Sequence, residues 1–277
     1  MIMNKYLPIV LFVSILLSGA VYSQDTSGVR PLKHEKRFYV SEDGKLFVAQ
    51  TQPTYLHLST SPDDPSKSLP LKDSKSDEPA KAIRLSEGKN IIRNPMATGP
   101  EAPGYEVYAD ATVPSTKAGF SGAARYESKD NVYYGPGLSF TLTSADALSG
   151  VQETYLSVNQ SAFKPSREVP LDFTYDSKYL LFYYSVDNVG NVEKLKQSEY
   201  YVDVSPPKTA YKLSGIYKAD ILSPNVTISL SSQDNLSGVK SLLYQIDDTK
   251  KLKYKSAISV SKLSDGEHTL RLYDETM

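Results

Sequence analysis

Asp146-Ala-Leu-Ser-Gly-Val151 recurs as Asp234-Asn-Leu-Ser-Gly-Val239, a shift of 88 residues. The stretch ahead of each copy repeats as well. Leu138, Phe140 and Leu142 alternate with Ser139, Thr141 and Thr143, and Val226, Ile228 and Leu230 alternate with Thr227, Ser229 and Ser231. Apolar and polar residues alternating at period two describe a half-buried antiparallel strand. A helix would scatter the same apolar residues around its circumference.

Two further matches extend the period. Leu85-Ser-Glu-Gly-Lys-Asn90 resembles Leu263-Ser-Asp-Gly-Glu-His268 at a shift of 178, and Thr174-Tyr-Asp-Ser-Lys-Tyr179 stands halfway between them. Val107–Thr116 resembles Tyr200–Thr209 at a shift of 93. Together they define a repeat of roughly ninety residues. In the middle copy the pattern predicts an opening strand over 117–123, matched by 208–213, then strands near 136–144, 151–158, 169–173, 179–186 and 194–204. Turn-forming runs such as Asp187-Asn-Val-Gly-Asn191 separate them. In the first copy Phe38-Tyr-Val and Leu46-Phe-Val flank Asp43-Gly44, a hairpin signal.

The expected fold class is therefore all-β: tandem immunoglobulin/fibronectin-III-like β-sandwiches after an N-terminal signal peptide. Residues 1–23 read as that leader. Lys5 supplies the positive start, Leu7–Leu17 the apolar stretch, and Val21 with Ser23 suit cleavage before Gln24. A linker over 24–36 precedes a degenerate unit over 37–115, in which the Ser/Pro/Lys/Asp-rich stretch 61–80 is expected to form a mobile insertion. A complete unit follows over 116–206. The unit over 207–277 lacks a counterpart of the last turn and strand. A fragment of a longer array, an interrupted gene and a strand supplied by another chain would each account for that.

Bulk composition removes several function classes. The chain has 277 residues, 31 Lys and Arg, 32 Asp and Glu, and a formal net charge of −1, so no one-sided field steers it to nucleic acid. The absence of cysteine removes disulfides, thiolate nucleophiles and Cys-ligated metal. After the leader no apolar run is long enough for a transmembrane segment, which leaves peripheral outer-membrane association open.

Five patterns, the first of them present twice, together carry a resemblance. They are Asp-x-Leu-Ser-Gly-Val at 146 and 234, Tyr244-Gln-Ile-Asp247, Asp265-Gly-Glu-His-Thr-Leu270, Ser185-Val-Asp-Asn-Val-Gly-Asn-Val-Glu193 and Val202-Asp-x-x-Pro-Pro207. This pattern resembles bacterial immunoglobulin-like repeats. It is similar to those of the leptospiral surface-exposed outer-membrane proteins that bind extracellular matrix. The match is good over 130–277 and weak over 37–115. The resemblance implies an exported cell-surface or periplasmic adhesion, binding or spacer module, with host extracellular-matrix proteins as partners. The pattern also resembles repeats beside catalytic domains in secreted carbohydrate-active enzymes. The alternative is thus an accessory region of such an enzyme, with the catalytic domain outside this chain. A membrane barrel fits poorly, because no apolar outer band with aromatic girdles is evident.

The residues argue against an enzyme. His34-Glu-Lys-Arg-Phe lacks the second His of a zinc-protease helix, and Gly119-Phe-Ser-Gly-Ala misses the spacing of a nucleophile elbow. His57 lies in an alternating strand. His268 falls at a repeat position that Asn90 and Tyr179 share, which suits a structural role. No cofactor is expected apart from calcium. In an immunoglobulin topology Asp110, Asp146 and Asp187 meet at one pole, where three carboxylates offer a hard cation oxygen ligands. Asp203 and Asp234, with Asp274, form the corresponding set at the next junction. The competing reading is that each Asp caps its own turn by accepting backbone N–H bonds.

Overall fold

The computed structural model describes residues 29–54, 57–59, 68–70, 82–93, 104–128 and 130–276. The predicted leader lies outside these residues, as does nearly all of the predicted insertion 61–80. The described chain is all strand and loop with two short 3-10 turns, so the all-β expectation holds. No helix among the described residues is long and apolar enough to cross a membrane.

The first unit is one four-stranded sheet. Strands β1 (Phe38–Val40) and β2 (Leu46–Ala49) form the expected hairpin, closed by Gly44 in the left-handed region (φ 79°). The short hairpin β3 (His57–Ser59) and β4 (Ser68–Pro70) stands apart. Strands β5 (Gly88–Arg93) and β6 (Gly104–Asp110) complete the order β1-β2-β6-β5, with β2 parallel to β6.

The second unit packs two sheets. Strand β7 (Ser115–Ser121) pairs with β10 (Ser139–Ala145). Facing them is a six-stranded sheet of order β12-β11-β13-β14-β9-β8. It is built from β8 (Arg125–Glu127), β9 (Val132–Tyr134), β11 (Val151–Val158), β12 (Lys164–Pro165), β13 (Ser177–Asp187) and β14 (Lys196–Val202). As in the first unit, an early hairpin strand runs parallel to the last strand, β9 beside β14. Leu156, Tyr179, Leu181, Tyr183, Tyr200 and Val202 form the buried core between the sheets, with Phe140 and Leu142 of β10 packed on it at their predicted parity.

The third unit repeats this plan at the same offset. Strand β15 (Lys208–Ser214) pairs with β18 (Thr227–Gln233), joined by β21 (Ile258–Ser259). Strand β19 (Val239–Ile246) lies between β20 (Leu252–Lys253) and β22 (Leu270–Thr276). The register slips between Val239 and Ser241 just as it does between Val151 and Glu153, so even the bulge repeats. A hairpin of β16 (Tyr217–Lys218) and β17 (Ile221–Leu222) forms its own two-stranded sheet.

One expectation needs correction. Residues 169–173 form no strand; a 3-10 turn over Ser166–Glu168 leads into irregular chain. Val169, Leu171 and Phe173 still pack on the core, so the alternation correctly marked the inward residues. Pro170 between them has no N–H to give a ladder. Of the predicted linker 24–36, the described residues lie on the outer face of the second unit. Leu32 N–H donates to Tyr184 Oη at 2.8 Å, and the His34 ring sits 5.3 Å from that of Tyr155. This strap covers part of the second face of β13, a strand in which nine consecutive residues, Tyr179 to Asp187, are buried.

Candidate functional site

The Asp-x-Leu-Ser-Gly turn is built by its first residue. Asp146 Oδ1 accepts from the Leu148 and Gly150 amides at 3.0 and 2.9 Å. Asp234 Oδ1 accepts from Leu236 and Gly238 at 2.9 and 2.8 Å. Gly150 and Gly238 close the turns at φ 79° and 90°, where a side chain would be strained. Asp187 does the same for its own turn: Oδ1 accepts from the Val189 and Asn191 amides, and Oδ2 from Asn191 Nδ2 at 2.7 Å.

An aspartate at the end of the last strand of the first and second units reaches into the next unit. Asp110, ending β6, accepts the Ser149 amide at 3.0 Å through Oδ2 and the Thr112 amide at 3.0 Å through Oδ1. Asp203, just past β14, accepts the Ser237 amide at 2.9 Å. One contact thus ties each unit to the serine of the following Asp-x-Leu-Ser-Gly turn. At the first junction apolar packing reinforces it. Val189 is buried against Phe47 and Ala49, with Tyr39, Tyr108 and Leu148 around them. Asn191 Nδ2 donates to the Asp110 carbonyl at 3.1 Å.

These contacts bring three acids together. Carboxylate oxygens of Asp110, Asp146 and Asp187 all lie within 4.8 Å of one another. Asp110 and Asp187 are wholly buried, and among the described residues no Lys, Arg or His pairs with any of the three. Burial pushes the Asp187 carboxyl above its ordinary value, and the charge of Asp110 adds to this, against the donors of Asn191 and Val189. Two buried atoms in the Asp146–Gly150 turn have no hydrogen-bond partner, Asp146 Oδ2 and Ser149 Oγ. The donor set is oxygen only, which suits a hard cation and offers nothing to a soft one.

Comparison with protein-family models, with curated proteins and with solved structures finds no match to this chain.

At the second junction Asp234 caps its own turn and Asp203 accepts the Ser237 amide of that turn, but among the described residues no cluster of three acids forms there. The register explains it. Val151 pairs with Asp187, whereas the equivalent Val239 pairs with Thr276. Asp274 instead falls at the position of Ser185. There it accepts from Ser232 Oγ at 3.0 Å and from the hydroxyl of Thr209.

That position belongs to a polar cluster which the sequence reading does not anticipate. In the second unit Thr116, Ser144, Thr154 and Ser185 link their hydroxyls across the two sheets at 2.6–3.0 Å. Buried Glu193 accepts the Thr116 and Ser185 amides at 2.8 and 3.2 Å and pairs with Lys196 at 2.5 Å. The signal was present: each of the four continues the inward parity of its strand, as Ser144 does after Phe140 and Leu142. Every one of these buried groups finds a partner, as a low-dielectric interior demands.

The histidines lie apart from the triad. His34 is in the strap, where burial lowers its pKa. Of His57 only the backbone, in β3, is described. His268 bonds Asp247 and the Ser264 carbonyl. An open hollow of about 430 Å³ on the third unit is lined by Tyr244, Leu252, Lys253, Lys255 and Ser256, with no carboxylate or imidazole to form an acid–base pair.

Proposed function

We propose that this chain is an exported, non-catalytic array of immunoglobulin-like β-sandwich units, acting at the cell surface or in the periplasm as a binding or spacer module. Host extracellular-matrix proteins are the partners that the motif resemblance implies. One observation carries the reading: the Asp110–Ser149 and Asp203–Ser237 bonds are the same contact, made once per repeat at each unit boundary. A junction repeated in this way belongs to an array that holds its units at set orientations, which is what a spacer or a multi-site binder needs.

The sandwich identity has further support. Tyr179 stands near the start of β13 and donates its hydroxyl to the Asp172 carbonyl seven residues upstream. A tyrosine bonding backward at the entry to this strand is a hallmark of immunoglobulin-type sandwiches. The parallel pairing of β9 with β14 leaves the polar edge strands β8 and β12 as the borders of the sheet, so recognition would use edges and loops rather than a deep pocket.

Solid-phase binding tests the adhesive role. The purified chain is expected to bind at least one of immobilised fibronectin, elastin or laminin saturably. Failure with all three overturns adhesion to matrix.

A further inference from the structure

The triad at the first junction is more than three caps that happen to converge. Two of its carboxylates are fully buried, no basic side chain among the described residues pairs with them, and they share a volume only a few ångströms across. Like charges so placed repel strongly unless something positive or a proton lies between them. A second observation, which rests on the Ser149 hydroxyl, is independent of the acids' clustering. Asp146 Oδ2 and Ser149 Oγ are two of only three buried side-chain polar atoms left without a partner among the described residues, and both lie in the turn that completes the triad. Ser149 itself is 4% exposed. The third such atom, Tyr200 Oη, lies in the aromatic core of the second unit, whereas the Thr116–Glu193 cluster satisfies its buried hydroxyls and carboxylate. Two unmet oxygens within one turn, one of them on a carboxylate of the triad, therefore point to a ligand that accepts lone pairs.

We propose that Asp110, Asp146 and Asp187 bind one calcium ion, which clamps the first unit to the second, and that the second junction binds none. The chemistry fits calcium. An all-oxygen set selects hard cations. Oxygens on a calcium at about 2.4 Å reach up to about 4.8 Å apart in an irregular shell, whereas magnesium requires a tight octahedron at about 2.1 Å. The clamp follows from the donors' origins: Asp110 comes from the end of β6, Asp146 from the turn before β11, and Asp187 from the end of β13. The second junction repeats the first two donors as Asp203 and Asp234 but places Thr276 opposite Val239, so the third carboxylate is missing. The inference does not depend on the adhesive reading.

Calorimetric titration of the chelator-treated full chain with calcium chloride tests it, alongside thermal melts in calcium and in chelator. One ion per chain and a higher melting temperature in calcium are expected. Asp146→Asn retains an oxygen to accept the Leu148 and Gly150 amides, so the fold should persist while affinity falls at least ~10–100-fold. Asp187→Asn serves as a second variant. Asp234→Asn, at the other junction, should leave both stoichiometry and the calcium-dependent shift intact. No saturable uptake by the wild-type chain overturns the site. Undiminished uptake in both Asp146→Asn and Asp187→Asn places the ion elsewhere and overturns it too. Tighter binding of magnesium than of calcium overturns the choice of ion.

Discussion

His268 has acceptors on both sides: its Nδ1 lies 2.8 Å from Asp247 Oδ2 and its Nε2 lies 2.9 Å from the Ser264 carbonyl oxygen. An imidazole held this way favours the doubly protonated form, and the Asp247 bond raises its pKa, with the Ser264 contact adding to the effect. Asp247 is lowered in turn, first by His268 and then by the Thr269 amide. The sign of the pH dependence follows. The His268 contribution is complete below its ordinary value of 6.5 and fades as pH rises through the elevated folded value. The Asp247 contribution is present above 3.8 and fades as pH falls through the depressed one. The pair therefore helps between those limits, and only modestly because it is exposed. NMR titration is expected to place His268 above 6.5, and Asp247→Asn to bring it back. An unchanged midpoint in the variant would refute the coupling. The repeat position explains why a histidine is here at all. Asn90, 178 residues earlier, donates to the Ser86 carbonyl at 2.7 Å, and Ser86 is the counterpart of Ser264. Tyr179 bonds the Asp172 carbonyl, seven residues back where Asn90 and His268 reach four. Asn, His and Tyr all tie the loop to the strand that follows, so the structural reading of this position was legible from the three aligned stretches alone.

Among the elements, strands with clean alternation were readable and those without it were less so. The periods of β10 and β18 specify which side chains point inward, because side chains on a strand alternate faces. Strand β13 breaks alternation with Tyr179-Leu-Leu-Phe-Tyr-Tyr184, a run that signals cover on both faces, and no local pattern says what the second cover is. Part of it is the strap, which is distant in sequence: Leu32 and Tyr184 are 152 residues apart. Burial pushes the Tyr184 hydroxyl up to about 12, so it stays a neutral partner across the physiological range. The strap's tightest point is Gly190, at φ 87°. A Cβ there would lie 2.3 Å from the Lys36 carbonyl oxygen. Gly190→Ala is expected to cost about 1–3 kcal/mol from the left-handed backbone alone, and to lift the strap. Hydrogen exchange or limited proteolysis would then be faster around 29–37 while the amides of β11 and β13 stay protected. Equal protection of the strap in both forms would count against this close approach. The same limit of local information applies at 169–173, where the inward residues were right and Pro170 denied them a ladder.

Across the whole molecule, the first junction combines a buried apolar contact, a backbone-capping aspartate and the acidic triad. Val189 sits wholly buried between units, in a turn whose sequence reads merely as a hairpin. Val189→Ala removes about two methylene equivalents, or roughly 1.5 kcal/mol, from the junction. The first unit should therefore unfold at lower denaturant, with the transition of the second unit little changed, as followed by urea melts with residue-resolved amide signals. A uniform shift of both units would mean that they unfold as one body. The sequence by itself determined the all-β class, the ninety-residue period, the inward parity of the regular strands and the aspartates that close each turn. Those properties depend on neighbours within a few residues and on periodicity, so they survive without knowledge of the fold. The motifs together with an immunoglobulin topology already brought Asp110, Asp146 and Asp187 to one pole, where the structure has them, but tertiary structure alone decided that Asp274 joins Thr209 and Ser232. It also decided that residues 29–37 lie over β13. Hydroxyl partners 65 and 42 positions away and a packing partner 152 positions away leave no local mark, because only closure of the sheets brings those groups within bonding distance.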